Sequence, residues 1–164
     1  MLSGEQLAYI AGIVDGEGSI SIIRTKQKAR PVGKRNSRSA NKPNPGTYDR
    51  TLLKVSVAMT DHEIPEWLHH EFGGALFYRS YPDKNWAERC DWNITGPLAM
   101  SFLKSVQPYL RLKQYQAMVA ITYQERRVPH LALKDIDKEI DRILCDTMNK
   151  LNQRGKVEDA AITA

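Results

Sequence analysis

Apolar and polar positions along this chain change period several times, and each change marks an element. Ser3-Gly4-Glu5-Gln6 reads as a capping box, with Ser3 as N-cap and Gln6 reaching back to it. The apolar, small-residue run Leu7 to Val14 follows, so a helix is predicted through about Val14, ended by Gly16 and Gly18. At Ser19-Ile20-Ser21-Ile22 the period drops to two and a strand begins. Ile20 and Ile22 would face a core, and Ser19, Ser21, Ile23 and Thr25 the other side.

Residues from about 27 to 50 lose the periodicity and read as a long loop rich in Lys, Arg, Pro, Asn, Ser and Gly. A second strand is predicted over Thr51–Thr60, with Leu53, Val55, Val57 and Met59 on one face and Leu52, Lys54, Ser56 and Ala58 on the other. Thr60-Asp61-His62-Glu63 reads as another capping box, opening a helix that stops at Gly73-Gly74. Strands over Ala75–Tyr81 and Trp86–Thr95 flank the turn Pro82-Asp83-Lys84-Asn85. In the second of these, Cys90, Trp92 and Ile94 would look inward and Arg89, Asp91 and Asn93 outward. Helices follow from Gly96-Pro97 to a break near Pro108, from about Leu112 to Arg126, and over about 134–153.

The order is helix, strand, strand, helix, strand, strand, then helices. It predicts an α+β fold with helices on one face of an antiparallel sheet, in a single domain spanning residues 1–164. The opposite face would carry Thr25, Lys54, Ser56, Arg89 and Asp91, and a sheet face of this kind can enter a DNA major groove.

Charge sharpens that picture. The net charge is +5, yet Arg24 to Lys54 alone holds ten basic residues against the single acid Asp49, and the rest of the chain is net negative. A polyanion partner is the expectation, with nucleic acid first. The residues nominated against it are Ser21, Arg24, Thr25, Lys26, Gln27 and Lys28 at the first strand and its exit, and Arg30, Lys34, Arg35, Arg38 and Arg50 in the basic loop. Lys54 and Ser56 join them from the second strand, and Tyr78, Ser80, Arg89 and Asp91 from the second hairpin. The Leu7 to Val14 run is too short to cross a bilayer and has no basic flank, so no membrane association is expected. Cys90 and Cys145 read as reduced, buried thiols of an intracellular protein, of the cytoplasm or of an organelle such as a chloroplast or mitochondrion.

The candidate chemistry sits at Asp15-Gly16-Glu17-Gly18, where helix gives way to strand. A carboxylate beside carbonyls freed by an ending helix suits a hard cation such as Mg²⁺. Ala8, Ala11 and Gly12 put small residues on the helix before it, and the Ala8–Gly12 spacing lets two backbones approach closely. Two copies packed so would bring two Glu17 carboxylates together; at about 5 Å and an effective dielectric of about 20 they repel by roughly 3 kcal/mol. Cations and phosphate geometry would have to offset that. A plain turn beside a core helix accounts for the same residues equally well on physical grounds.

Ile10-Ala11-Gly12-Ile13-Val14-Asp15-Gly16-Glu17-Gly18 resembles the signature motif of the LAGLIDADG homing endonucleases at all nine positions, with Glu17 where Asp is commoner. The motif occurs once, the αββαββα order follows it, and Val106 to Gln116 resembles the segment before the late helix of single-motif members. The resemblance spans about residues 3–126. It implies a homodimeric, site-specific endonuclease whose motif helices pack at a two-fold axis, through Ala8, Ala11, Gly12 and Asp15 here, under a saddle-shaped antiparallel sheet. It implies Mg²⁺-dependent double-strand cutting of a long pseudopalindromic site with 3′ overhangs, Ca²⁺ or Mn²⁺ being able to occupy the metal site. Glu17 and the Gly16 carbonyl would hold metal, Asp61 would hold metal or a water, and Lys113 would polarise the site.

Other patterns are weaker. Pro82-Asp83 with Glu88 hints at another nuclease motif, but Cys90 stands where its lysine belongs. His69-His70 has no supporting partner at a useful spacing. The rival function is a non-cutting binder on the same fold, either an RNA maturase or a DNA-binding regulator.

Overall fold

A computed structural model describes residues 2–28, 47–81, 86–127 and 135–153. Four strands and five helices lie in them: α1 (Gly4–Gly16), β1 (Gly18–Lys28), β2 (Thr47–Met59), α2 (Glu63–Phe72), β3 (Ala75–Arg79), β4 (Arg89–Thr95), α3 (Gly96–Val106), α4 (Gln114–Glu125) and α5 (Asp135–Asn152). The strands form one antiparallel sheet in the order β1-β2-β4-β3.

The Ser3 capping box forms as expected, with Ser3 Oγ accepting from Gln6 N–H and Gln6 Oε1 accepting from Ser3 N–H. The helix it starts runs further than expected. Gly16 is its last residue, not its terminator, and the chain turns at Glu17. Gly18 is the position that demands glycine: a Cβ there would lie 2.6 Å from the Val14 carbonyl oxygen and 2.7 Å from its Cα.

Strands β1 and β2 are longer than the sequence periodicity indicated. Lys28 pairs with Thr47, Lys26 with Asp49 and Thr25 with Arg50, so Gln27, Lys28 and Arg50 belong to the ladder, not to the loop. Threonines and a tyrosine favour extended backbone there. The rest of the expected basic loop, with Arg30, Lys34, Arg35 and Arg38, lies outside the described residues, as does the Pro82–Asn85 turn. Strands β3 and β4 are shorter than expected. The capping box at Thr60–Glu63 does not form: His62 is the N-cap residue without a side-chain cap, and the Glu63 N–H goes to Asp61 Oδ1 at 3.0 Å.

All five helices contact the sheet or the helices on it, and the core fills the space between. Ile20, Ile22, Leu53, Val55, Val57, Cys90, Trp92 and Ile94 supply the sheet side; Ile10, Ala11, Val14, Phe102, Leu103, Val106, Ala117 and Ala120 supply the helices. Trp92 stacks edge-on against Phe102, with ring centroids 5.1 Å apart, and donates from Nε1 to the Gly73 carbonyl at 2.8 Å. Gly74 then turns the chain into β3 at φ +92°, with Asn93 backbone where a Cβ would be. Beyond α3, Pro108 sits in a 3₁₀ turn (Gln107–Tyr109) that leads to α4. Helix α5 buries Cys145 and Met148, and Asn152 donates to the Ile20 carbonyl. Its Asp141 pairs with Arg127 at 2.6 Å, and Arg127 also donates to Thr51, which accepts from Tyr123 as well. Among the described residues no helix is long and apolar enough to cross a membrane.

The α1–β1 corner yields a direct test. Gly18→Ala should lower stability by about 1–3 kcal/mol in urea unfolding, because the added methyl meets backbone that cannot step aside. A wild-type midpoint would mean the corner is looser than this packing implies.

Candidate functional site

Helix α1 carries no basic residue in its last turn, although its carbonyls there bear partial negative charge. A distant segment supplies the cation. Lys113, only 7% exposed, donates from Nζ to the Val14 carbonyl at 2.8 Å and to the Asp15 carbonyl at 2.6 Å. The Asp15 side chain returns the contact: Oδ2 accepts from Arg111 N–H at 2.7 Å and Oδ1 from Lys113 N–H at 2.9 Å. Of the last four helix carbonyls, Ile13 is satisfied by Glu17 N–H and the next two by Lys113; the fourth is that of Gly16. Glu17 follows it, exposed, on a backbone fixed from both sides.

The arrangement divides the residues nominated for a two-fold interface. Ala8 and Gly12 lie exposed, with Tyr9 and Gly16, on one side of α1. A Cβ built on Gly12 or Gly16 meets nothing within 4 Å, so nothing in this chain requires glycine at either place. Ala11 is fully buried in the chain's own core and Asp15 is 7% exposed beneath the Arg111–Lys113 segment. Both are therefore corrected from interface to internal packing. Helical geometry explains the error: Ala11 and Gly12 are adjacent in sequence and point about 100° apart.

The face of the sheet away from the helices is the second component. Directly paired residues share a face, so the register places Ser21, Lys54 and Thr95 in one row, Ser19, Ser56, Asn93 and Ala75 in another, Ala58, Asp91 and Phe77 in a third, and Arg89 with Arg79 in a fourth. Thr25 shares this face by alternation. Ser21, Thr25, Lys54, Ser56, Arg89 and Asp91 thus stand where the sequence put them. A shallow depression there is lined by Lys54, Ala75, Phe77, Arg79, Asn93, Thr95, and Leu98 from α3.

Two nominated residues stand on the other side. Arg24 has the parity of Ile20 and Ile22 and reaches Asp146 of α5 at 3.9 Å. Tyr78 pairs with buried Cys90 and donates its hydroxyl to Glu66 of α2 at 2.7 Å, which pushes its pKa up to about 12. Lys26 shares Arg24's parity and is exposed; Ser80 is exposed just past β3. In place of Tyr78 the open face receives Arg79, which sequence reasoning missed. Ala75 to Arg79 reads plausibly with either face inward, and only the pairing of Arg79 with Arg89 decides between them.

Asp91 was expected to point outward and does so, but it is 6% exposed because two arginines cover it. Arg79 Nε lies 2.6 Å from Oδ2. Arg89 places Nε 2.7 Å from Oδ1, off the axis of a straight hydrogen bond, and Nη2 3.2 Å from Oδ2. The hydrogen bond to Asp91 pushes the Arg89 pKa further up.

Among the described residues no three His, Cys, Asp or Glu side chains gather at one point. The Glu17 corner still has donors of the right kind for a hard cation: an exposed carboxylate next to the last carbonyl of a helix. The remaining ligands would come from outside one chain. Asp61 is exposed, and its Oδ1 is engaged with Glu63 N–H.

No protein-family model matches the chain. No curated protein matches it by sequence. Solved structures do match. The homing endonuclease I-CvuI, in complex with DNA in the presence of Mg, aligns over 93% of this chain and 85% of its own at 19% identity and a TM-score of 0.65. The archaeal intron-encoded homing endonuclease I-Vdi141I, complexed with DNA, aligns over 92% and 86% at 16% identity and the same TM-score of 0.65. I-SmaMI, a LAGLIDADG homing endonuclease bound to cleaved DNA, aligns over 89% of this chain but 44% of its own, at 17% identity and a TM-score of 0.58. Helix order, sheet order and the motif helix ending at Glu17 agree with that likeness, and the protein has the fold of the LAGLIDADG homing endonucleases.

Proposed function

We propose that the protein is a site-specific DNA endonuclease that acts as a homodimer on a long pseudopalindromic target. It uses Mg²⁺ to cut both strands and leaves 3′ overhangs. The observation that carries this reading is the exposed Glu17 carboxylate, held on a locked helix corner beside an exposed stripe of small residues. The structures of I-CvuI and I-Vdi141I with DNA support the substrate class. The likeness to nearly all of those chains, but to less than half of I-SmaMI, supports one copy of the fold supplying half of a working unit.

In this reading the sheet face lies in the major groove, where base edges are distinguishable, and Lys54, Arg79 and Arg89 bring positive charge to it. Exposed Ala8 and Gly12 let the α1 helices of two copies approach, which sets the two Glu17 residues side by side at the centre of the target. The interlock of Asp15 with Lys113 keeps Glu17 and the Gly16 carbonyl in place, so little reorganisation is needed when DNA arrives. Glu17 and the Gly16 carbonyl would hold a divalent cation, which would supply Lewis acidity at a scissile phosphate and make a nearby water more acidic. Asp61, one oxygen already engaged, has a second with which to orient that water.

The deciding experiment is a cleavage selection on a randomised duplex library in Mg²⁺. One roughly symmetric site with 3′ overhangs is the expected recovery. Firm binding to DNA or intron RNA without any recovered cut would favour the regulator or the maturase.

Three variants probe separate parts of the reading. Glu17→Gln should abolish cutting while leaving DNA binding and the urea midpoint at wild-type values; retained cutting removes Glu17 from the centre. Lys113→Met should lower both cutting and stability, the latter by about 1.5–3 kcal/mol, because a charged donor to two helix carbonyls is lost. Unchanged stability there would contradict its role as a helix cap. Gly12→Leu should yield a folded, inactive monomer by sedimentation, since the monomer has open space at that position. A dimer that survives the substitution would place the two-fold axis elsewhere.

A further inference from the structure

We infer that Asp91 is a positioning residue that holds Arg79 and Arg89 as a paired guanine-reading fork on the open face of the sheet. The inference rests on the DNA-binding reading above and assigns part of its base specificity.

The cluster is poorly explained as a stabilising device. Arg79 and Arg89 stand directly opposite each other on adjacent strands, a placement that is unfavourable for like charges. The arginine side chains keep 56% and 40% of their surface in solvent, although the carboxylate they share is covered. One arginine would have sufficed to neutralise one carboxylate.

Nor does it suit simple attraction to phosphate. A carboxylate on a DNA-facing surface repels the backbone, and bare arginines would bind it better without one. What Asp91 contributes is orientation. Its Oδ2 lies against Arg79 Nε and accepts from Arg89 Nη2, while Arg89 Nε stands 2.7 Å from Oδ1 without hydrogen-bond geometry. The planar guanidinium forks onto guanine O6 and N7 through two donors, and an arginine already held in place loses less side-chain entropy on doing so. Both arginines stand beside Phe77 and Asp91 on one exposed face, and Arg79 lines the depression there, so a base edge entering it meets an Arg79 side chain already anchored.

The test is binding enrichment of a randomised duplex library in Ca²⁺, sequenced for wild type, Arg79→Lys, Arg89→Lys and Asp91→Asn. Wild type should enrich a site with guanine at two or more defined positions in each half. Each lysine variant keeps the charge but loses the fork. Guanine preference should fall roughly ten-fold or more at one position per half-site, the other positions and the salt dependence staying as in wild type. Asp91→Asn should loosen both guanine positions together and steepen the salt dependence, as released arginines turn to phosphate at about one unit of slope per contact. A merely structural Asp91 would instead weaken every position alike. Three results would overturn the inference: unchanged profiles in the lysine variants, an even loss of affinity with a shallower salt slope, or an even loss in Asp91→Asn. Enrichment of no site by wild-type protein is a different failure, since it would remove the DNA reading itself.

Discussion

Everything at the candidate centre depends on the interlock between Asp15 and Lys113, which lie almost a hundred residues apart. A helix that ends in the middle of a protein leaves carbonyls facing inward, and an unpaired buried carbonyl costs about 1–3 kcal/mol. Lys113 satisfies two of them, and the Asp15 carboxylate takes the backbone N–H groups of Arg111 and Lys113 in return. The exchange is reciprocal, so neither segment can shift without exposing polar groups of the other. It also places a buried ammonium on the Asp15 carbonyl, two residues before exposed Glu17. The resemblance gave Lys113 a polarising role, and the hydrogen bonds give it a structural one. A fixed positive charge so near the carboxylate can serve both.

The sheet divides the work through parity alone. Ile20 and Ile22 of β1 and Leu53, Val55 and Val57 of β2 build the core, and Ser19, Ser21, Lys54 and Ser56, of the other parity, stand on the opposite face. The β1–β2 ladder runs from Gly18–Val57 to Lys28–Thr47. The candidate centre and the open face meet at the α1–β1 corner, where Glu17 ends one and Gly18 starts the other. Gly18 fits because it has no Cβ to meet Val14, and this close approach sets where the carboxylate lies relative to the first strand.

Much of this was legible in the sequence because it rests on local rules. The Ser3 box, the alternation of Ile20 with Ile22 and of Leu53 with Val55 and Val57, and the Pro108 break all follow from neighbours a few residues away. Most of the failures have a different cause. Ala11 was placed outward because small residues beside Gly12 suit a close approach, and Asp15 because the resemblance puts the motif helix at a two-fold axis; only tertiary packing, with the 111–113 segment over Asp15, reveals that both are covered. Tyr78 and Arg79 were exchanged because a five-residue strand with apolar residues at both parities does not declare its inner face. Thr60 was read as a cap, whereas Asp61, one residue on, takes the Glu63 N–H that the expected box would have claimed. The misses at Ala11, Asp15, Tyr78 and Arg79 concern residues whose partners come from distant elements, whereas the one at Thr60 is a choice between two adjacent caps.

Net charge and site charge make different statements here. The excess of basic residues accounts for attraction to a polyanion and says nothing about sequence. On the open face the described charges are Lys54, Arg79 and Arg89 against Asp91, and the acid is the most buried of the four. A surface selected only to hold DNA has no use for that carboxylate, which weakens attraction in proportion to its proximity. A surface that must distinguish one base from another has every use for it. Discrimination depends on donors that cannot swing to the wrong acceptor, and a buried acid is the means by which a basic surface restrains its own arginines.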